Sequence, residues 1–290
     1  MRILCLTALV MVAFAANSIL TRFAIAGGHI DPTGFAVVRV LSGAVLLAML
    51  MALNITPGPL IRGGRVPLIR RQQGLGAITL AIYIIGFSLA YLTLDAGLGA
   101  LILFGVVQIA MFTHGALFGV TPTPRKLLGA AVAFSGLVLV LWPSQGVAVD
   151  PLGAALMIAA GLGWAAYTII GRGASDPLAG SAGNFVICTP LVAALLLVQP
   201  TFYSPTGIAL GVLCGAVTSG LGYALWYAVL PRLAQATAAV VQLSVPVIAI
   251  IAGALILGEP LGAKVVVATA LVLGGIALAV SARSAPTGRK

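Results

Sequence analysis

Apolar runs of roughly the length that spans a bilayer recur along the whole of this 290-residue chain. Glycine, proline and charged residues interrupt the runs at short intervals, so that about ten of them follow one another. A soluble domain carries about 25% charged residues, whereas this chain carries 7%. A transmembrane barrel would instead show alternating segments of about 10 residues. We therefore predict an all-α integral membrane protein.

The loops between the apolar runs predict ten transmembrane helices and their orientation. The predicted spans are 3–26, 33–53, 74–94, 97–119, 126–142, 152–171, 178–198, 207–229, 234–257 and 261–281. Twelve of the 15 Lys and Arg residues lie in loops or termini of one side, and the loops of the other side hold none. By the positive-inside rule both termini are cytoplasmic. The net charge of +10 then reflects topology, and we expect no nucleic-acid partner.

Two pairs of similar segments divide the chain into halves. "FAANSILTR" at 14–22 resembles "WAAYTIIGR" at 164–172, and "GALFGVTP" at 115–122 resembles "GALILGEP" at 253–260. We therefore predict two five-helix repeats, residues 1–143 and 144–290, and expect the first apolar run to be part of the fold rather than a cleaved leader. Because five is odd, the second repeat enters the membrane from the opposite side. Inverted repeats of this kind are a recurrent design of secondary transporters.

The segments "WAAYTIIGR" and "GALILGEPL", the ten-helix length and the basic inner loops resemble the EamA-type transporters of the drug/metabolite transporter superfamily. Within that superfamily the chain is most similar to bacterial amino-acid exporters of the YddG type. The resemblance implies a multi-pass protein of the bacterial inner membrane that exports neutral, aromatic or a broad range of amino acids. It also implies alternating access through a central cavity lined by helices 1, 3, 4, 6, 8 and 9.

Polar and aromatic side chains at mid-membrane depth are the candidate substrate-binding residues, because burying them in a bilayer is costly. They are Asn17, Tyr83, Gln108, Trp164, Tyr167, Tyr223, Gln242 and Ser244. For each of them the alternative is a contact that only joins neighbouring helices. For Trp226 and Tyr227, near the inner end of helix 8, we favour an interfacial aromatic belt.

Gln242 is the strongest single candidate. Pro246 cannot donate a hydrogen bond to the carbonyl of residue 242, so that carbonyl is left free and the helix is expected to kink. Free backbone groups at this depth are tolerated where they line a cavity or find another partner. Position 242 would thus offer both acceptors and donors to an ammonium or a carboxylate group.

Basic residues inside the predicted helices have separate interpretations. Arg22 and Lys264 lie near outer helix ends, where the side chain is expected to snorkel to the surface. Arg39 is a gating or structural charge that either snorkels or pairs with Asp31 or Asp95.

The five acidic residues all fall at helix ends or in loops. This disfavours coupling to protons through a buried carboxylate, and it disfavours a metal site. A polar, uncharged cavity with aromatic walls suits zwitterions with variable side chains. The alternatives are export of drugs, nucleotide sugars or lipid-linked substrates, and, from other classes, a channel or an intramembrane enzyme. We expect a monomer without cofactor or catalytic residues, whose partners are a small-molecule substrate and the bilayer.

Overall fold

The computed structural model describes residues 2–53, 71–118, 123–142, 149–172, 176–197, 202–233, 241–242 and 244–281. Helices account for the regular structure in these ranges, apart from an isolated bridge between Ile30 and Tyr203. The helices are α1 (Arg2–Ala26), α2 (Pro32–Ala52), α3 (Arg71–Ala90), α4 (Ala96–Leu117), α5 (Pro124–Leu141), α6 (Pro151–Gly171), α7 (Pro177–Leu197), α8 (Pro205–Arg232), α9 (Ser244–Leu257) and α10 (Ala263–Ser281).

Seven of these helices, α1 to α4 and α6 to α8, are long and apolar enough to cross a bilayer. The predicted ninth span, 234–257, falls partly on residues 234–240 and 243, which lie outside the described residues. The helical structure and the seven long apolar helices confirm the predicted all-α membrane fold. The count of ten spans and the division into repeats at residues 1–143 and 144–290 stay predictions.

Five of the helices begin at a capping residue followed by proline. These pairs stand at 31–32, 123–124, 150–151, 176–177 and 204–205. The side chain of the capping residue accepts a hydrogen bond from an amide of the first turn, such as Asp31 from Gly34 at 2.8 Å. Proline fits the first helical position because it lacks the N–H that would otherwise be unsatisfied there. This local chemistry fixes where the spans begin, within two residues of the predicted bounds.

The helices pack in pairs around a shared centre. α3 lies against α6 and α7, and α8 lies against α1 and α2. α4 contacts α6 and α9, while α9 also contacts α1. α5 and α10 pack along each other, and their backbones approach so closely that a Cβ on Gly129 would lie 2.5 Å from the carbonyl oxygen of Gly275.

A crossing of small residues joins α2 to α8. A Cβ added to Gly43 would lie 2.9 Å from the carbonyl oxygen of Gly215, and one added to Gly215 would collide with the carbonyl oxygen of Arg39. Small residues let two transmembrane backbones approach in this way. The crossing places Arg39 of α2 directly against the next turn of α8.

Candidate functional site

Arg39 is fully buried at the centre of the helix bundle. Its Nε donates to Ser219 Oγ at 2.8 Å, and its Nη2 donates to the hydroxyls of Tyr83 at 2.9 Å and Tyr223 at 2.7 Å. Its Nη1 has no hydrogen-bond partner among the described residues. Snorkelling is therefore the wrong interpretation of Arg39.

Pairing of Arg39 with Asp31 or Asp95 is also wrong. Asp31 caps α2 and accepts from the amide of Phe202 at 2.8 Å, while Asp95 forms an ion pair with Arg22 at 3.3 Å. The guanidinium instead lies over the rings of Phe87 and Tyr83, 5.0 and 5.3 Å from their centroids. Such cation–π contacts compensate only part of the several kcal/mol that burying an ion costs.

Asn17 of α1 lies next to this cluster. Its Oδ1 accepts hydrogen bonds from Thr218 Oγ1 at 2.6 Å, Ser219 Oγ at 3.1 Å and Cys214 Sγ at 3.3 Å. All three donors lie in residues 213–221, where α8 widens into a π-helix. Widened turns of this kind often occur at functional sites. Because Ser219 also accepts from Arg39, one network joins α1, α2 and α8.

The predicted aromatic candidates meet around the same point. The ring of Trp164 lies 5.0 Å from Tyr83, 4.6 Å from Tyr223 and 5.5 Å from Tyr167, centroid to centroid. Phe14 of α1 closes the group at 5.3 Å from Trp164. All five side chains are buried, and they come from α1, α3, α6 and α8. We call these five rings the aromatic cluster.

The belt interpretation of Trp226 and Tyr227 is wrong. Trp226 is 0% exposed and packs edge-on against Phe14 at 5.9 Å. Tyr227 is 2% exposed, and its hydroxyl donates to the carbonyl of Tyr167 at 3.0 Å. Both side chains therefore extend the aromatic cluster toward the predicted inner side instead of facing lipid.

The remaining candidates are Gln108 on α4, Gln242 ahead of α9, and Ser244 and Pro246 in the first turn of α9. Gln108 and Gln242 are buried. Ser244 Oγ donates to the carbonyl of Val241 at 2.6 Å, so its hydroxyl supports the start of α9. Pro246 lies in the first turn of α9, and the kink expected ahead of it involves residue 243, outside the described residues. A substrate-binding role for Gln108, Gln242 and Ser244, and a kink at Pro246, stay predictions.

Two further connections tie helix ends on the predicted outer side. Arg22 pairs with Asp95 at 3.3 Å and with Glu259 at 3.6 Å. Glu259 also accepts from the amide of Ala96 at 2.7 Å, at the N-terminus of α4. We call Arg22, Asp95 and Glu259 the outer clamp. Snorkelling is the wrong interpretation of Arg22, because its guanidinium is held by carboxylates and by the carbonyl of Tyr91.

The second connection joins two outer loops. Asp31 accepts from the amide of Phe202, and Ser204 Oγ donates to the carbonyl of His29 at 2.6 Å.

Burial raises the pKa of the Glu259 carboxyl in the outer clamp, and the amides of Ala96 and Gly97 and the charge of Arg22 offset part of that rise. The hydrogen bond to Ala96 survives in either protonation state, because a neutral carboxyl still offers an acceptor.

The helices and their hydropathy define a multi-pass membrane protein with a buried polar centre. A profile described as the EamA-like transporter family matches residues 151–281. A protein of Pseudomonas aeruginosa, described as uncharacterized protein PA1977, is 46% identical over 97% of this chain and 96% of its own length. The chain belongs to the EamA-like transporter family, within the drug/metabolite transporter superfamily.

More distant relatives agree with this assignment. An uncharacterized transporter of Archaeoglobus fulgidus is 26% identical over 72% of this chain and 76% of its own length. The uncharacterized transporter YwfM of Bacillus subtilis is 26% identical over 87% of this chain and 86% of its own length. A solved crystal structure with 18% identity covers 96% of this chain and 98% of its own, with a TM-score of 0.67. At that identity it shows the fold alone.

Proposed function

We propose that this transporter exports amino acids and related small metabolites across the bacterial inner membrane by alternating access, with both termini cytoplasmic. The observation that carries the proposal is the buried polar and aromatic centre described above. Its side chains come from α1, α2 and α3 of the first half and from α6 and α8 of the second. A substrate held there would touch both halves of the chain, as alternating access requires.

The helix packing supports this mechanism. If each helix of the first half is exchanged for the helix five places later, the α3–α6 contact becomes the α8–α1 contact and the α4–α6 contact becomes the α9–α1 contact. The same exchange leaves three contacts unchanged, namely those of α2 with α7, of α4 with α9 and of α5 with α10. Two halves related in this way can exchange roles and open a central site to either side.

The chemistry of the centre supports an amino-acid substrate. The aromatic cluster offers apolar walls that accept side chains of different shape. The centre also offers hydrogen-bonding groups for the ammonium and carboxylate that all amino acids share, on Asn17, Ser219 and Arg39. A nucleotide sugar carries two phosphates, and Arg39 is the one basic side chain that the described residues place in this centre. That single cation favours an amino acid over a nucleotide-linked substrate.

The test is flux in proteoliposomes that contain the purified protein. We expect uptake of phenylalanine and other neutral amino acids that saturates with concentration. Trp164→Ala should reduce it by about tenfold or more, since truncation of a buried aromatic that anchors a binding partner costs roughly 2 kcal/mol or more. Trp142→Ala is the matched control, because Trp142 is 67% exposed and should leave flux unchanged.

The proposal fails if well-folded protein moves no neutral amino acid. Flux of a nucleotide sugar or a lipid-linked compound under the same conditions would show that the alternative substrate class is correct. Folding of each variant is checked by size-exclusion chromatography in detergent.

A further inference from the structure

We infer that the buried centre is an anion site in which Arg39 binds the carboxylate of the substrate. The inference rests on the proposed function and names the substrate group that the site requires. It makes Arg39 a substrate-binding residue, instead of a gating or structural charge.

The acidic side chains of the chain, all of which lie among the described residues, supply no counter-ion for Arg39. The chain has five acidic residues in all, and each is engaged elsewhere. Asp31, Asp150 and Asp176 accept from amides in the first turns of α2, α6 and α7. Asp95 and Glu259 pair with Arg22 in the outer clamp. A buried guanidinium without a carboxylate partner is expensive to keep, since the hydroxyls and rings around it carry no negative charge.

The guanidinium of Arg39 lacks a hydrogen-bond acceptor at one of its nitrogens within the part of the chain that the structure describes. Nη1 carries two N–H groups and has no acceptor among the described residues. Nη2 already donates to Tyr83 and Tyr223, and those two hydroxyls are 3.0 Å apart. One of the two hydroxyl protons bridges this pair. The two N–H groups of Nη1 are therefore donors in excess of the acceptors that the described residues place around the guanidinium.

The aromatic cluster adds to the same imbalance. Trp164 Nε1 is a donor, is buried and has no partner among the described residues. Its ring lies against both tyrosines that bind Arg39. Asn17 Oδ1, the acceptor of the neighbouring network, is already shared by three donors. A ligand that brings one negative charge and two acceptor oxygens would complete this arrangement.

A carboxylate has this chemistry, because its two oxygens match the fork of a guanidinium. A phosphate is also an anion, but it brings more charge than one guanidinium balances. The substrate group we assign is therefore a carboxylate. A neutral amide of the same shape offers one acceptor oxygen and no negative charge, and an ammonium offers neither.

The first experiment uses the wild-type protein in proteoliposomes and measures competition against labelled phenylalanine. Phenylpropionate keeps the carboxylate, phenethylamine keeps the ammonium, and phenylalaninamide keeps the shape and the amino group without the carboxylate charge. We expect phenylpropionate to compete about ten- to a hundredfold better than phenethylamine or phenylalaninamide, the range for a hydrogen-bonded charged group. Equal competition by phenethylamine would overturn the inference while phenylalanine flux upholds the proposed function. Stronger competition by phenyl phosphate would overturn the carboxylate assignment.

The second experiment uses variants. Arg39→Gln should weaken phenylalanine competition by about tenfold or more and leave phenethylamine competition unchanged, whereas a purely structural role would weaken both. Arg39→Lys should be intermediate because it keeps the charge without the fork. Arg232→Gln is the matched control, since it removes the same charge from an exposed position at the end of α8. Unchanged phenylalanine competition in folded Arg39→Gln would overturn the inference.

A binding measurement separates this inference from the proposed function. In detergent, phenylpropionate should raise the melting temperature of the wild-type protein, and phenethylamine should not. That result without any phenylalanine flux would refute the proposed function and support the anion site. Stabilisation by phenethylamine but not by phenylpropionate would overturn the anion site, whether or not Arg39→Gln folds.

Discussion

Glu259→Ala tests whether the outer clamp holds the transporter closed on its outer side. The change removes the acceptor of the Ala96 amide, which lies at 2.7 Å, and of the Gly97 amide at 3.4 Å. Both amides belong to the first turn of α4, where the helix provides no acceptor of its own. Loss of such a cap costs roughly 1 kcal/mol. Since about 1.4 kcal/mol is a factor of ten, we expect about a fivefold larger open population.

The assay uses Cys214, which is fully buried on α8 and donates to Asn17. It lies nine residues into α8, or about 14 Å from the outer end at the rise of an α-helix. With Cys5 and Cys188 replaced by serine, a membrane-impermeant maleimide added from outside reports opening. When the protein opens and closes much faster than the thiol reacts, the labelling rate follows the open population. Glu259→Ala should then label about five times faster than its parent.

Glu259→Gln is the matched control for this experiment. The amide oxygen of glutamine keeps the acceptor for Ala96 and removes only the charge. Because burial raises the pKa of Glu259, the charge adds little to closure, and we expect labelling close to that of the parent. Asp176→Asn, which affects a cap within α7, should also leave labelling unchanged. Equal labelling rates for folded Glu259→Ala and the parent would refute the role of the clamp.

Four further predictions follow from the structure. Gln242→Ala should lower apparent substrate affinity about ten- to a hundredfold with unchanged amounts of folded protein, and Pro246→Ala should impair flux by restoring a regular helix; wild-type flux in both at subsaturating substrate would contradict this. Gly215→Ala should destabilise the protein by about 1–3 kcal/mol in thermal unfolding, because its Cβ would meet the Arg39 carbonyl, whereas Gly274→Ala has open space and should be neutral. Lowering the pH from neutrality toward 4.5, the ordinary pKa of the Glu259 carboxyl, should slow Cys214 labelling more in the parent than in Glu259→Gln, because a raised pKa means that the closed form binds the proton more tightly. The loss of reactive thiolate in acid is common to both proteins, so a parent-to-variant rate ratio that rises at low pH would contradict the sign. Reporters fused after Gly64 and at the C-terminus should read cytoplasmic and one after Ala148 external, and a cytoplasmic result after Ala148 would remove the ten-span topology.

Much of the fold could be predicted from the sequence because its signals are local. Capping residues followed by proline mark five helix starts, and hydropathy marks the spans between them. The depth of a side chain also follows from its position along a helix. For that reason Asn17, Tyr83, Trp164, Tyr167 and Tyr223 could be selected as buried candidates.

The neighbours of each helix could not be predicted in the same way. Trp226 and Tyr227 have the depth of an interfacial belt, but α6 and α1 cover them. Ser219 was missed because a serine in an apolar helix carries no signal of its own; only the π-helical turn and the Gly43–Gly215 crossing bring it against Arg39. Arg39 can be recognised in the sequence as a basic residue within a predicted span. Its role could not be predicted, because that depends on how far each carboxylate of the chain lies from it in the fold.

Counterflow of phenylalanine in proteoliposomes tests the central claim most directly, because it separates alternating access from a pore. The vesicles are loaded with unlabelled phenylalanine and diluted into a trace of labelled phenylalanine. A carrier that exposes one central site to each side in turn predicts that label rises above its equilibrium level and then declines. Arg39→Gln should lose this overshoot at the same trace concentration, whereas Arg232→Gln should keep it. Label that rises monotonically to equilibrium in the wild-type protein, or does not enter at all, would contradict the account.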